Sequence, residues 1–231
     1  MDRKELKRDV FVEEVTHSVE VLSAHKPEVK LYGGIAVALL VAGFGYYFYS
    51  SSQANARQLA LAEVKKIDIA TIGPNKQDPL LNFQTLDAKN AARVKGYTDL
   101  AAKYPRTQEG AIAQMILAAM QVDAGKLADA EKSYKAIVES APADYGSVAA
   151  VALANVYMAE DKAADAEKVM KTVVDHPTTF ISKEQATVYL AQIIGKSRPA
   201  EARKMLEPLR TARSAISRAA IQTLGELGAA N

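Results

Sequence analysis

The chain of 231 residues contains no cysteine and no tryptophan. Without cysteine it can form no disulfide bond, and thiolate catalysis is excluded. Glycine and proline are scarce outside short turn segments, whereas alanine is common. A chain of this composition is rich in strong helix formers, and we therefore predict an all-α protein.

An excess of charge of one sign is also lacking, because 29 lysines and arginines are balanced by 27 aspartates and glutamates. A nucleic-acid-binding domain carries a basic patch or stripe, and this balance gives no such signal, so we expect no nucleic-acid partner. Acidic pairs such as Asp129/Glu131 and Asp165/Glu167 lie next to lysines in the sequence. We interpret them as solvated charge on exposed helix faces.

No group of residues has the pattern of a catalytic or metal-binding site. His17, His25 and His176 are far apart and lack the spacing of metal ligands. Gly195-Lys196-Ser197 resembles the end of a phosphate-binding loop, but Leu190 stands where that motif requires a glycine. We therefore expect a protein that is not an enzyme and that has no cofactor and no metal.

The chain does have one long apolar stretch, the nineteen uncharged residues from Leu31 to Tyr49. As a helix this stretch would be roughly 28 Å long, which is close to the hydrocarbon thickness of a bilayer. Tyrosines stand at both ends, where aromatic rings favour the membrane–water interface: Tyr32, Tyr46, Tyr47 and Tyr49. We predict a single transmembrane helix over residues 31–49.

Two other interpretations of this stretch stay open. Ala54-Asn55-Ala56 has the small residues of a signal-peptide cleavage site, although the segment before the apolar stretch is long and rich in acids for a cleaved signal. The second is a hydrophobic helix of a soluble protein. If the helix is a membrane anchor, Gly34, Ala38 and Ala42 form a stripe of small residues against which another membrane helix could pack.

Basic residues flank the apolar stretch unequally, since Arg57 is the one basic residue in the fifteen positions after it. Six precede it: Arg3, Lys4, Lys7, Arg8, Lys26 and Lys30. Positive charge stays on the cytoplasmic side, so we predict that residues 1–30 form a cytoplasmic head and that residues 50–231 lie outside. The head is either an amphipathic helix or a frayed tail, and the apolar positions of that helix would be Phe11, Val15, Val19 and Leu22.

The chain after the apolar stretch repeats itself. Asp129-Ala130-Glu131-Lys132 recurs as Asp165-Ala166-Glu167-Lys168, a shift of 36 residues, and Ala200–Leu206 follows the same pattern another 36 residues on. Upstream, residues 91–104 match the second helix of an earlier, degenerate unit. A period in the mid-thirties with helical periodicity in each half indicates stacked helical hairpins. We predict that residues 50–231 form a helical-hairpin solenoid with a capping helix over residues 211–228.

The positions within each repeat are consistent with such a stack. Small residues fall where the two helices of a hairpin must approach closely: Ala118, Ala130, Ala154, Ala166, Ala191 and Ala202. Larger residues are expected to fill the layer between repeats: Leu117, Leu153, Leu190, Tyr134, Met170 and Leu206. Prolines follow the second helices and are expected to end them: Pro105, Pro142 and Pro177.

Leu-Ala in the first helix, Ala-x-x-x-Tyr in the second and a closing proline resemble the tetratricopeptide repeat (TPR) over about residues 91–210. The usual aromatic near the start of the first helix is missing in every unit, and the third unit lacks its closing proline, with Pro208 nearby. The whole layout is similar to the YfgM-like membrane-anchored TPR proteins, ancillary subunits of the SecYEG translocon. This resemblance implies an accessory role at the bacterial inner membrane, with a periplasmic repeat domain. Its implied partners are translocon subunits, periplasmic chaperones or secreted chains.

In solenoids of this type the first helices line a concave groove. We place there the residues in register with Leu117, Leu153 and Leu190: Ile112, Met115, Ala119, Val122, Val148, Val151, Asn155, Met158, Gln185, Val188 and Gln192. Their lining is apolar and small, which suits an extended or helical apolar segment of a partner. Alternatively, these residues pack on neighbouring helices.

The leading hypothesis from the sequence is a non-enzymatic, membrane-anchored module for protein–protein interaction. The alternative is a self-associating scaffold of the cell envelope or of cell division. The two differ in their partners, because a scaffold would form oligomers through its own repeats.

Overall fold

The computed structural model of the protein describes residues 26–73, 82–211 and 215–229, so the amphipathic positions predicted in the head lie outside it. The described residues form nine α-helices, two short strands and a 3-10 turn (Glu207–Thr211): α1 (Lys26–Ile69), β1 (Thr71–Ile72), β2 (Asn82–Phe83), α2 (Leu86–Lys103), α3 (Gln108–Asp123), α4 (Leu127–Ser140), α5 (Ala143–Ala159), α6 (Ala163–Asp175), α7 (Lys183–Ile194), α8 (Pro199–Leu206) and α9 (Ala215–Ala229). The predicted all-α fold is confirmed.

Helix α1 is a single helix of 44 residues that contains the whole apolar stretch. Every residue from Leu31 to Tyr49 is exposed, and none of the most apolar part of the helix is buried inside the protein. The helix is long and apolar enough to cross a membrane. The core helix of a soluble protein would instead bury much of this surface.

The chain divides into two compact units, Met1–Ala56 and Arg57–Asn231. Within the second unit, each helix from α2 to α8 packs against the next helix along the chain. Contacts also join α3 to α5 and α7 to α9. These contacts are those of helical hairpins stacked in sequence order, with α3/α4, α5/α6 and α7/α8 as successive pairs and α9 as the cap.

Burial within the hairpins follows the predicted positions. The six alanines assigned to close helix approach are all at most 2% exposed. Leu153, Leu190, Met170 and Leu206 are buried as well, at 4% exposure or less. Leu117 differs, since it is only partly buried, although its sequence position matches that of Leu153 and Leu190.

The ends of the second helices agree with the predicted role of the prolines. Pro105, Pro142 and Pro177 each directly follow the C-cap residue of a second helix. Pro142 is in addition the N-cap residue of α5, with φ −53°. The turns within hairpins α3/α4 and α5/α6 each contain a left-handed residue at the same repeat position, Gly125 (φ 71°) and Asp161 (φ 58°).

A short parallel strand pair precedes α2, and its register joins Thr71 to Asn82 and Ile72 to Phe83. The sequence did not predict these strands. Two-residue strands have no periodicity that a sequence could reveal. Residues 74–81, between the strands, lie outside the described part of the chain.

Candidate functional site

The first helices α3, α5 and α7 present equivalent residues to one face of the repeat unit, which we call the first-helix face. Ala119, Asn155 and Gln192 occupy the same repeat position, and all three are exposed. A second set is half-buried: Ile112, Met115, Val122, Val148, Val151, Met158 and Gln185. Val188 is buried, at 5% exposure, and belongs to the main apolar cluster. The structure thus places the predicted residues at three depths.

Four of the predicted residues meet in one depression on this face. Val151, Asn155 and Met158 of α5 line it together with Gln192 of α7. Its volume is about 140 Å³, and Met170 of α6 also lines it. A depression of this size admits a side chain of a partner but not a folded domain, so the exposed Asn155 amide beside it is suited to contact an inserted segment.

The C-terminal end of the first-helix face is covered by α9. The Gln192 side-chain amide donates a hydrogen bond to Thr223 Oγ1 at 3.2 Å, and Thr223 is 2% exposed. The guanidinium of Arg203 donates to the carbonyl oxygen of Leu227 at 2.8 Å. These bonds hold α9 on the stack, while Ala119 and Asn155, at the preceding repeats of the same face, are exposed.

The second helices have a repeated ion bridge that the sequence analysis interpreted only as solvated charge. The Glu131 carboxylate contacts Lys135 Nζ at 2.5 Å and Lys162 Nζ at 2.6 Å. One repeat later, Glu167 contacts Lys171 at 2.7 Å and also Arg198. Each acid therefore joins its own helix to the residue before the next second helix. Asp129 and Asp165 stay exposed, so the earlier interpretation holds for them alone.

The bridging acids titrate well below the ordinary range. Hydrogen bonds from Lys135 and Lys162 lower the pKa of Glu131 to about 2. Hydrogen bonds from Arg198 and Lys171 lower the pKa of Glu167 to about 2 in the same way. Both carboxylates are consequently charged across the neutral and mildly acidic range, where they stabilise the junctions between repeats.

Polar contacts also hold the C-terminal part of α1 on the stack. Asp68 accepts hydrogen bonds from the Tyr97 hydroxyl and from Arg93 Nε, the latter at 2.7 Å. Lys89 Nζ donates to the carbonyl oxygens of Asp68 and Ala70, both at 2.8 Å. Because these carbonyls belong to the last turn of α1 and the residue after it, the lysine caps the end of the helix.

A second contact joins α1 to α3, where Arg57 Nε donates to the carboxylate of Glu109 at 3.1 Å. Glu109 is only 1% exposed. Burial acts to raise the pKa of Glu109, but hydrogen bonds from Gln108, from its own backbone N–H and from Arg57 outweigh burial and lower it. The buried carboxylate is therefore ionised at neutral pH, and Arg57 is its charged partner.

In the apolar part of α1, Gly34, Ala38 and Ala42 are exposed. A Cβ placed on Gly34 would meet no atom within 4 Å. Packing within this chain therefore does not require glycine there, and the proposed contact with another membrane helix stays a prediction.

The sequence patterns did not indicate an open cleft of about 700 Å³ that lies between α2 and α3, which we call the first-junction cleft. Its walls include Arg93, Val94, Leu117, Gln121, Asp123 and Lys126. A signal was present in the sequence, because Val94 aligns with Glu131 when Tyr97 is aligned with Tyr134. The replacement of glutamate by valine at this repeat position can be interpreted only once the ion bridge of Glu131 is known.

Comparison with known families gives one match. Residues 28–204, more than three quarters of the chain, match the family model described as tetratricopeptide repeat-like domain. The matched range begins near the start of α1 and ends within α8. No curated protein and no solved structure matches the chain.

Proposed function

Because the chain belongs to the tetratricopeptide repeat-like family, we propose that it is a non-enzymatic, membrane-anchored module for protein–protein interaction. The observation that carries the proposal is the combination of two parts in one chain. One is a repeat unit of stacked hairpins with an open first-helix face, and the other is a helix whose apolar surface is exposed from Leu31 to Tyr49. Exposed apolar surface of that extent marks a membrane or protein contact.

The mechanism we infer is tethering. An anchor in the membrane keeps the repeat unit close to membrane-bound partners, which raises their effective concentration without requiring tight binding. The depression beside Asn155 supplies a weak site for a short segment of a partner. Gly34, Ala38 and Ala42 supply a second contact, with a membrane helix of the partner complex.

We further propose a location and a set of partners. The distribution of basic residues favours a cytoplasmic N-terminus and a repeat unit on the outer side of a bacterial inner membrane. The resemblance of the layout to the YfgM-like group favours an accessory role in protein translocation or periplasmic chaperoning. Translocon subunits, periplasmic chaperones and secreted chains are the corresponding partners.

Site-specific photocrosslinking in cells tests the interaction. A photoreactive residue replaces Asn155, and a matched control replaces Lys168, which is exposed on the second helix of the same hairpin. We expect adducts of translocation or chaperone proteins at position 155 and far fewer at position 168. Equal adducts at both positions would show that the first-helix face is not the binding surface. Adducts only between copies of this chain would favour the self-associating scaffold instead.

The absence of cysteine makes the topology simple to test. A single cysteine is introduced either at Ser18 or at Lys168, and intact cells are treated with a maleimide that does not cross the inner membrane. Labelling at position 168 but not at position 18 is expected. The mass of the purified protein distinguishes a retained anchor from cleavage after Ala56, since cleavage would remove the whole apolar stretch.

A further inference from the structure

The first junction between hairpins differs chemically from the two that follow it. At the second junction Glu131 bridges to Lys162, and at the third Glu167 bridges to Arg198. Lys162 and Arg198 are the N-cap residues of α6 and α8. A carboxylate from one second helix thus contacts the cation that begins the next one.

The positions of the bridging carboxylate and of the N-cap cation can also be identified at the first junction. Tyr97 and Leu100 of α2 are buried at the places of Tyr134 and Ile137 of α4, so Val94 stands at the place of Glu131. Lys126 is the N-cap residue of α4. Its backbone N–H donates to the Gln121 carbonyl at 2.8 Å, as that of Lys162 donates to the Tyr157 carbonyl at 2.8 Å.

The first junction therefore has the cation of the later junctions but lacks a carboxylate at position 94, the repeat position of Glu131. Val94 is 45% exposed and cannot accept a hydrogen bond. Over residues 26–73, 82–211 and 215–229, Lys126 Nζ has no ion pair. Arg93, the other cation of the cleft, is already paired with Asp68.

The apolar filling of the junction is missing as well. At the second junction the ring of Tyr157 is 5% exposed and lies 5.4 Å from Lys135 Nζ and 5.9 Å from Lys162 Nζ. Gln121 takes its place at the first junction, and its side-chain oxygen is held by Ser133 at 2.8 Å. Leu117, whose repeat equivalents Leu153 and Leu190 are buried, is partly exposed at the wall of the cleft.

We propose that the first-junction cleft binds a segment of a protein partner that presents a carboxylate side chain to Lys126 and an apolar side chain to Val94 and Leu117. The partner segment would supply the two groups that the following junctions contain within the chain, a glutamate and a large apolar side chain. The inference rests on the proposed function only in taking protein as the ligand. It assigns a second surface, on the second-helix side of the first junction, distinct from the depression beside Asn155.

Asp123 also lines the cleft. Its charge is opposite to that of Lys126, so removing each charge should change the affinity for an acidic ligand in opposite directions. Its carboxylate repels an acidic ligand, whereas Lys126 attracts one. Replacing Asp123 by asparagine should therefore strengthen the binding of an acidic segment, and replacing Lys126 by glutamine should weaken it. An exposed ion pair of this kind corresponds to a change of up to about fivefold in affinity.

The experiment uses the full chain in lipid nanodiscs and a displayed library of random twelve-residue peptides. Four variants are compared with the parent: Val94→Glu, Lys126→Gln, Lys126→Glu and Asp123→Asn. Val94→Glu supplies the missing carboxylate from within the chain, so it should occupy Lys126 and block the cleft. Position 94 is exposed on a helix, and unchanged circular dichroism and urea midpoints would verify that each variant folds.

We expect the peptides retained by the parent and lost from Val94→Glu to be enriched in Asp or Glu next to an apolar residue. Lys126→Glu should shift this enrichment to Lys or Arg. For a synthetic peptide from the enriched set, Lys126→Gln should weaken binding about fivefold and Asp123→Asn should tighten it. No enrichment, or equal binding by the parent and Val94→Glu, would overturn the proposal.

These outcomes are separate from those of the proposed function. If position 155 crosslinks partner proteins while the library shows no acidic enrichment dependent on Val94, the repeats bind protein but this cleft is not a site. If both experiments fail, the interaction role itself is wrong.

Discussion

The C-terminal part of the repeat unit is held by one continuous apolar cluster, from Ala118 in α3 to Leu227 in α9. The N-terminal part has a much smaller cluster, whose buried members are Leu61, Tyr97, Leu100 and Ala113. There, polar contacts through Asp68 and Glu109 hold α1 against α2 and α3. One repeat pattern is thus stabilised in two ways, because apolar burial tolerates small shifts while ion pairs and close backbone contacts depend on exact geometry.

The largest effect is expected from removing apolar volume at the centre of the C-terminal cluster. Met170 is fully buried, and Met170→Ala should lower the free energy of unfolding by about 3 kcal/mol, through lost burial and a cavity. Hydrogen exchange should accelerate from α4 to α9 and change least in α2. The exposed neighbour Lys168→Ala is the control and should change stability by less than about 0.5 kcal/mol. Faster exchange confined to α6 would contradict a continuous cluster.

A close backbone contact at the N-terminal part gives the next largest effect. A Cβ on Gly110 would lie 2.0 Å from the carbonyl oxygen of Tyr104, whereas one on Gly146, at the same repeat position, would lie 3.4 Å from that of Val138. Gly110→Ala should destabilise the fold by about 2 kcal/mol through overpacking. Gly146→Ala should be close to neutral, since alanine also favours the helix. Urea unfolding followed by circular dichroism measures the stability of both variants. Equal losses of stability would show that the backbone contact at Gly110 is no closer than that at Gly146.

The ion pair of Glu109 should affect only the N-terminal part. Arg57→Ala leaves a buried carboxylate with the hydrogen bonds of Gln108 and its own N–H alone, which should cost about 2 kcal/mol. We expect faster hydrogen exchange in residues 57–69 and in α2, with α5 to α9 unchanged. The double variant with Glu109→Gln should recover part of the loss, because the uncompensated charge is gone. No recovery would mean that Arg57 acts through packing rather than charge.

Acid should weaken the junctions of the C-terminal part, and this effect is expected to be the smallest per group. The pKa values of Glu131 and Glu167 are about 2 in the folded protein, below the ordinary value near 4.3 expected in the unfolded chain. The unfolded state therefore binds more protons, and stability is complete above about pH 5 and declines as pH falls toward 2. Urea titrations from pH 7 to pH 2.5 should show this decline. The double variant Glu131→Gln/Glu167→Gln should have a shallower decline, and an identical slope would exclude these two acids as its cause.

Much of the fold was predictable from the sequence, because the repeat determines both the helices and their buried positions. Ala118, Ala154 and Ala191 recur at nearly constant spacing. Each repeat needs a small residue where its helices approach closely, so this requirement is visible in the sequence as a periodic alanine. Strands β1 and β2 were not predictable in this way, since their pairing depends on where α1 ends and α2 begins.

The candidate site was less predictable, because helical periodicity gives the direction of a side chain but not what covers it. Val188 and Asn155 were assigned to the same groove, yet one is buried and the other exposed. Gln192 was assigned there as well, and it donates a hydrogen bond to Thr223 of α9, a contact that helical periodicity does not reveal. The first-junction cleft arises because Val94 and Gln121 replace the carboxylate and the large aromatic side chain found at the next junction. A missing group of this kind forms no motif in the sequence.

The contacts of each helix with its neighbours in the sequence also bear on how the chain acquires its structure. Little chain entropy is lost in closing each hairpin, because its two helices are joined by a short turn, and proteins dominated by such local contacts fold quickly. During synthesis, which begins at the N-terminus, the chain can therefore complete one hairpin before the next is made. Helix α9 is synthesised last, and until Gln192 and Arg203 donate their hydrogen bonds to it, the last face of the stack stays open to other proteins.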